Sequence, residues 1–196
     1  MSEIILASAS PRRRELMENM GLDFSVLVSD ADESVVDPGV PPGMYVQQLA
    51  LLKAAAVAKQ VIKNKKALVI SADTVVVNEG MILGKPKDAD DAFAILKSLS
   101  GRTHKVYTGF CVLRVSDAFT VCENVCTKVT FKELSDSKIR RYIASNEVFD
   151  KAGAYGIQGL GAMLVDKIDG DYFNVVGLPV SKLSRVLEDD FGFELM

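Results

Sequence analysis

The sequence predicts an α/β fold, a mixed twisted sheet flanked by helices, built as one domain over residues 1–196. Three observations carry that expectation. Short apolar runs that read as strands alternate with stretches at helical spacing, the order expected of α/β proteins. Hairpin signals interrupt the alternation, so the sheet is mixed rather than wholly parallel. With 196 residues, 48% of them hydrophobic, and no repeat, linker or low-complexity segment, the chain can bury a sizeable core.

The elements follow in order along the chain. Residues 3–8 (EIILAS) read as a buried strand. Ser10 and Pro11 then supply an N-cap and a proline at the first helical position. The helix places Leu16, Met17 and Met20 inward and stops at Gly21. Residues 23–28 read as a second strand, and 29–42 as a loop carrying Asp30, Asp32, Glu33 and several prolines. A long helix is expected over 43–63 and a strand over 67–73. Residues 74–83 read as a hairpin around Asn78, Glu79 and Gly80. Ala89, Ala92, Phe93, Leu96 and Leu99 mark a helix over 88–99. Strands are expected over 105–116 and 119–132; in the second, Phe119, Val121, Val125, Val129 and Phe131 share a face. A helix over 135–145, a glycine-rich segment at 153–161, a strand over 162–168 and a closing helix over 179–190 complete the order.

The charge balance excludes some functions. With 23 Lys and Arg against 26 Asp and Glu, the net charge is −3, so no overall field favours a nucleic acid. Any anion site must be local. Lys53, Lys59 and Lys63 interrupt the longest apolar stretches well before a membrane span would be complete. No basic-then-apolar leader is read, and Cys111, Cys122 and Cys126 are an odd set. The expectation is therefore reduced thiols in a cytoplasm. Cys122 and Cys126 lie in a strand-like run with no second pair, and are expected to be small core residues rather than metal ligands.

Chemistry concentrates in a few places. In ASASPRRREL, residues 7–16, three arginines occupy the first turn of a helix, where the dipole is already positive and a structural helix would favour Asp or Glu. Free N–H groups together with guanidinium groups make an anion site suited to phosphate. Consecutive helical residues point about 100° apart, so Arg12 and Arg13 are expected to face a ligand and Arg14 to be solvated. The alternative is a positive surface turn. Val46, Leu49, Ala50, Lys53 and Val57 fall on one helical stripe, so Lys53 must snorkel out or meet a negative partner, for which a phosphate is expected.

Asp73 stands at the end of the predicted strand, where α/β folds tend to bind ligands, and can hold a divalent cation or orient water. It can equally cap a turn. Glu33 is its candidate companion. Gly84, Lys85 and Pro86 set a lysine at the foot of a helix, though no Walker-type loop is present. In DKAGAYGIQG (150–159), Gly153, Gly156 and Gly159 surround Tyr155 and Gln158; such glycines suit either close approach to a flat base or a packed turn. His104, the one histidine, lacks an obvious catalytic partner and reads as a turn or hydrogen-bonding residue.

Eight stretches taken together, LASASPRRREL, ADESV, KA at 53–54, SADTVV, GKPKD, LSGRTHKVYTG, DKAGAYGIQG and NVVGLP, run in register nearly end to end. In this combination the chain resembles the Maf family of nucleoside triphosphate pyrophosphatases. The resemblance implies two lobes around a central cleft, a fold related to that of inosine triphosphate pyrophosphatases, and a divalent cation, Mg or Mn, bound with the nucleotide. It also implies frequent homodimers, while the acidic charge balance and the lysine-interrupted apolar stretches lead us to expect no nucleic acid or membrane partner. By position, Asp73 matches the catalytic acidic residue, and Arg12, Thr74 and Gln158 match substrate-discriminating positions. Ser8, Arg13, Glu33, Lys53 and Lys85 match other cleft residues, with Glu33 and Asp73 expected at the metal.

The carboxamide of Gln158 both donates and accepts, which suits the imide edge of uracil or thymine, whereas glutamate would suit the N–H donors of guanine. The form AYGIQG is similar to the branch acting on dTTP and UTP. The resemblance thus implies hydrolysis of these nucleotides, or modified pyrimidine nucleotides, to monophosphate and diphosphate. Two alternatives stand beside it: a nucleotide-sensing regulator of cell division or septum formation, and a pyrophosphatase for 7-methyl-GTP.

Overall fold

Strand β1 (Glu3–Leu6) buries Ile4, Ile5 and Leu6 in succession, the pattern of a strand covered on both faces. In a computed structural model of the chain, which describes residues 3–196, it pairs in parallel with β2 (Phe24–Val26) and with β3 (Ala67–Asn78). Between β1 and β2 lies α1 (Pro11–Asn19). The Ser10 hydroxyl accepts from the Arg13 N–H, Pro11 opens the helix, and Gly21 at φ +71° turns the chain out of it.

β3 differs from expectation. It runs unbroken for 12 residues through Asp73 and turns at Glu79 and Gly80 into antiparallel β4 (Met81–Leu83). Thr74, Val75, Val76 and Val77 are all β-branched and keep the backbone extended. Asp73 therefore sits in mid-strand rather than beyond a strand end. α3 (Ala89–Leu99), β5 (Thr103–Arg114), β6 (Thr120–Phe131) and α4 (Asp136–Ile143) follow as expected within a few residues. The strand expected over 162–168 is displaced: residues Gly159–Leu164 wind as a 3₁₀ segment and β7 spans Val165–Asp169. A short helix, α5 (Tyr172–Val176), is not among the expected elements; Asp171 caps it by accepting from the N–H groups of Phe173 and Asn174. α6 (Val180–Phe191) closes the chain and ends on Gly192 at φ +70°.

The seven strands form a mixed sheet in the order β2-β1-β3-β5-β6-β7, with β4 on β3. The chain divides into two compact units. The first comprises residues 1–73, 108–125 and 177–196. Its core sets Ala50, Ala54, Val57 and Ala58 of α2 (Pro42–Gln60) against Ile5, Val69, Cys111 and Leu113. These small side chains let the helix lie close on the sheet. At Gly109 a Cβ would fall 2.5 Å from the Val46 carbonyl, so only glycine fits under α2 there.

The second unit comprises residues 74–107 and 126–176. Leu96 and Leu99 of α3, Ile139 and Tyr142 of α4, and Val106, Val129 and Phe131 of the strands build its core, with Tyr155 and Leu164. Among the described residues no helix is long and apolar enough to cross a membrane. The cysteines depart from expectation, since Cys111 is buried but Cys122 is half-buried and Cys126 exposed. The cause is the period of β6, whose buried residues Thr127, Val129 and Phe131 are odd-numbered, so that Cys126 points to the opposite face.

Candidate active site

In the first unit, five of the residues singled out by sequence come together. Lys53, in mid-α2, extends its ammonium to Asp73 of β3, with Nζ 2.6 Å from Oδ1 and 3.0 Å from Glu33 Oε1. The Lys53 and Asp73 side chains are each 14% exposed, whereas Glu33 is 53% exposed. The lysine on the apolar stripe thus meets a negative partner, as its position demanded. That partner is a pair of carboxylates. Glu33 opens a single 3₁₀ turn, Glu33–Val35, which Asp32 caps by accepting from the Ser34 N–H at 3.0 Å.

Arg13 joins this group from the first turn of α1. Its Nε donates to the Gly177 carbonyl at 2.8 Å and its Nη1 to the buried Ser8 hydroxyl at 3.1 Å. Burial lowers its pKa, an effect opposed by Asp73, strengthened by Arg12 and opposed again by Glu33. Arginine keeps its charge in such a setting. Ser8 also accepts from the Ser10 N–H at 3.2 Å, shaping the turn that leads into the helix. Arg12 is half-buried and Arg14 exposed, as their positions on the helix require.

Tyr45 is a further residue here that no sequence motif marks. Burial raises its phenol pKa, and the Asp73 and Glu33 charges raise it further, against the opposing effect of Lys53. Its phenol therefore shares the electrostatic environment of the carboxylates. The available signal was spacing: Tyr45, Leu49 and Lys53 are successive i, i+4 positions on α2.

Thr74, Lys85 and Gln158 belong to the second unit. Thr74 is half-buried on β3, and Lys85 is exposed between β4 and α3. Gln158 is half-buried at the N-cap of the Gly159–Leu164 segment. No residue among those described hydrogen-bonds its carboxamide. The chain leading to it is closely held. Gly153, at φ +68°, has no room for a Cβ, which would stand 2.9 Å from the Val76 side chain. The Gly156 N–H donates to the Tyr142 hydroxyl at 3.2 Å. A Cβ on Gly161 would fall 1.9 Å from the Gly156 carbonyl oxygen.

His104 and Tyr155 lie beneath this segment, with Nε2 and the hydroxyl oxygen 2.7 Å apart. His104 is 1% exposed, and burial lowers its pKa to about 4, so the ring is neutral near pH 7. The expectation of a hydrogen-bonding histidine holds, but its place is the core rather than a turn.

Among the described residues no group of three or more His, Cys, Asp and Glu is arranged to hold a metal ion. Two carboxylates, Asp73 and Glu33, share one ammonium. That donor set suits Mg²⁺, a hard cation that takes one or two carboxylates and completes its shell with water and substrate phosphates. It does not suit a metal that needs a full protein cage.

The chain is 51% identical over 194 residues to a protein of Thermoanaerobacter sp. (strain X514) named dTTP/UTP pyrophosphatase, covering 99% of this chain and 100% of that protein. It is 49% identical over 196 residues to a protein of the same name from Alkaliphilus metalliredigens (strain QYMF), covering 100% of both. The fold resembles that of a HAM1 protein from Coxiella burnetii, with a TM-score of 0.54 and 14% identity, over 96% of this chain and 100% of that one. The model of the Maf-like proteins matches residues 3–190, and with half its residues shared with these relatives the chain belongs to the Maf family.

Proposed function

We propose that this chain hydrolyses dTTP and UTP between the α- and β-phosphates, releasing the nucleoside monophosphate and diphosphate in the cytoplasm. The observation that carries this reading is the Lys53, Asp73 and Glu33 cluster beside Arg13, in a chain half-identical to proteins named for that activity. Asp73 orients the attacking water and accepts its proton. Its mid-strand position and its Lys53 partner hold the carboxylate in one orientation.

Phosphoryl chemistry leaves little covalent work to the protein and depends on placing positive charge where negative charge gathers. Arg12, Arg13, Lys53 and Lys85 take that part toward the triphosphate and the departing diphosphate, and Ser8 adds a hydroxyl donor. Asp73 and Glu33 hold Mg²⁺ or Mn²⁺, which when bound neutralises phosphate charge. Lys53 then exchanges carboxylate for phosphate as its partner. Thr74 and Gln158 select the base, the carboxamide pairing with the C=O and N–H of a pyrimidine imide.

Diphosphate release measured over a panel of UTP, dTTP, CTP, GTP and 7-methyl-GTP tests the reading. Turnover is expected with UTP and dTTP. Binding without turnover would instead mark a nucleotide sensor, and preference for 7-methyl-GTP would overturn the assignment of Gln158.

A further inference from the structure

We propose that His104 is a positioning residue for nucleotide selection, acting through the Tyr155 hydroxyl to hold the Gln158 carboxamide in register with the base. The proposal rests on the reading of Gln158 as the base-selecting residue.

Three observations point to it. First, the backbone from Gly153 to Gly161 has no slack. Gly153 and Ala154 both adopt left-handed conformations, at φ +68° and +60°. Such a conformation is unfavourable for alanine and persists where the surroundings over-determine it. Gly153 lies against Val76, Gly156 is tied to Tyr142, and Gly161 lies under the Gly156 carbonyl. Tyr155 and Ile157 are buried on either side of Gly156. A displacement of the Tyr155 ring is therefore passed along three residues to Gln158.

Second, the Gln158 carboxamide is half-buried and makes no hydrogen bond to any described residue. A group poised to select a ligand keeps its donors and acceptor uncommitted, and its precision must come from its backbone.

Third, the contact between His104 and Tyr155 is poorly explained as a source of stability. The pair is buried, packs edge-on at 5.4 Å between ring centroids, and shares the face of Phe131, whose centroid lies 5.0 Å from His104 and 4.7 Å from Tyr155. Yet His104 Nδ1 is buried without a partner. An apolar pair of similar shape would avoid that desolvation cost and be at least as stable. What the polar pair adds is orientation: a 2.7 Å hydrogen bond admits one rotation of the imidazole and one placement of the phenol oxygen.

The test uses Tyr155→Phe, which removes one oxygen, with His104→Phe and His104→Gln, the glutamine retaining an amide within reach of the phenol. In Tyr155→Phe and His104→Phe, KM for UTP and dTTP is expected to rise about fivefold to tenfold, the effect of one misplaced hydrogen bond, while kcat stays within about twofold. The preference for UTP over CTP should fall with it, and His104→Gln should recover most of that preference. Unchanged preference in a folded Tyr155→Phe would overturn the proposal, as would an equal loss in His104→Gln and His104→Phe. Should His104→Phe fail to fold, Tyr155→Phe carries the test alone. Should the wild-type chain itself show no preference for UTP and dTTP, the reading of Gln158 fails. Amide hydrogen exchange at Gly156 and Gly159 then decides the positioning claim: faster exchange in Tyr155→Phe supports it, and unchanged exchange overturns it.

Discussion

The Lys53 ammonium stands 2.6 Å from Asp73 and 3.0 Å from Glu33, so one cation on α2 organises two carboxylates drawn from β3 and from a 3₁₀ turn. Asp73→Asn removes the charge and basicity of one carboxylate while preserving its shape. Turnover of UTP and dTTP should fall by about 10²–10⁴, the usual contribution of a positioned base. KM should change little, because Arg13, Lys53 and Ser8 remain. Lys53 keeps Glu33 as a partner, so the melting temperature should shift by only a few degrees. Near-normal kcat in this variant would remove Asp73 from the role of base.

Lys53→Met separates the two partners assigned to this lysine. The ammonium lies against the two carboxylates proposed to hold the divalent cation. Its removal leaves two like charges with Arg13 as their remaining nearby cation, which raises their affinity for metal ions. Mn²⁺ titration of the nucleotide-free variant, followed by electron paramagnetic resonance of the free ion, should show binding tighter than wild type by at least about tenfold. Turnover should nonetheless fall, since the lysine is missing from the phosphates. Weaker Mn²⁺ binding in the variant would show that Lys53 supports the cation site rather than competing for it.

Gln158→Glu tests base selection with a single change of donor capacity. An ionised carboxylate accepts but cannot donate, so it loses half of its pairing with a uracil imide and opposes the carbonyl acceptor of the base. A site built to hydrogen-bond one edge discriminates strongly against a mismatched one. kcat/KM for UTP should fall by about 10²-fold or more, and guanine nucleotides should gain relative to it. Equal losses across all nucleotides would assign Gln158 to phosphate binding or to folding.

Much of this was legible from residue patterns, for identifiable reasons. The Ser10 cap, Pro11 and Gly21 bounded α1 because each acts through local backbone chemistry. Lys53 stood out because an apolar stripe cannot hold an unpaired ammonium, and the structure supplies its partners. The identity of those partners was not legible, because Asp73 lies 20 residues away and their meeting depends on α2 packing across β3. β3 itself was cut short at Asp73, since a charged residue reads locally as an end. The pairing on both sides of it kept the strand intact. α5 is one turn long, too short to show a period. The contact of His104 with Tyr155 spans 51 residues and involves no motif, so only the fold could reveal it.

That same histidine gives the folded chain a pH dependence whose sign can be worked out. Its ordinary pKa is 6.5, and burial lowers it to about 4 in the folded chain. Between those values the unfolded chain binds a proton that the folded chain does not, so the stability present above pH 6.5 is lost as pH falls toward 4. The loss amounts to about 3 kcal/mol, from about 1.4 kcal/mol per pKa unit. The neighbouring Tyr155 does not titrate in this range, its own pKa being raised by burial. Carboxylates with lowered pKa, such as Asp117 and Asp136, also weaken the fold in acid. The diagnostic quantity is therefore the difference between wild type and His104→Gln in urea midpoints measured from pH 7 to pH 4. The glutamine variant keeps a hydrogen-bonding group beside Tyr155 but cannot titrate, so its stability should decline less steeply across this window. Parallel curves for the two proteins would mean that the buried imidazole becomes charged without cost, against the burial that its surroundings impose.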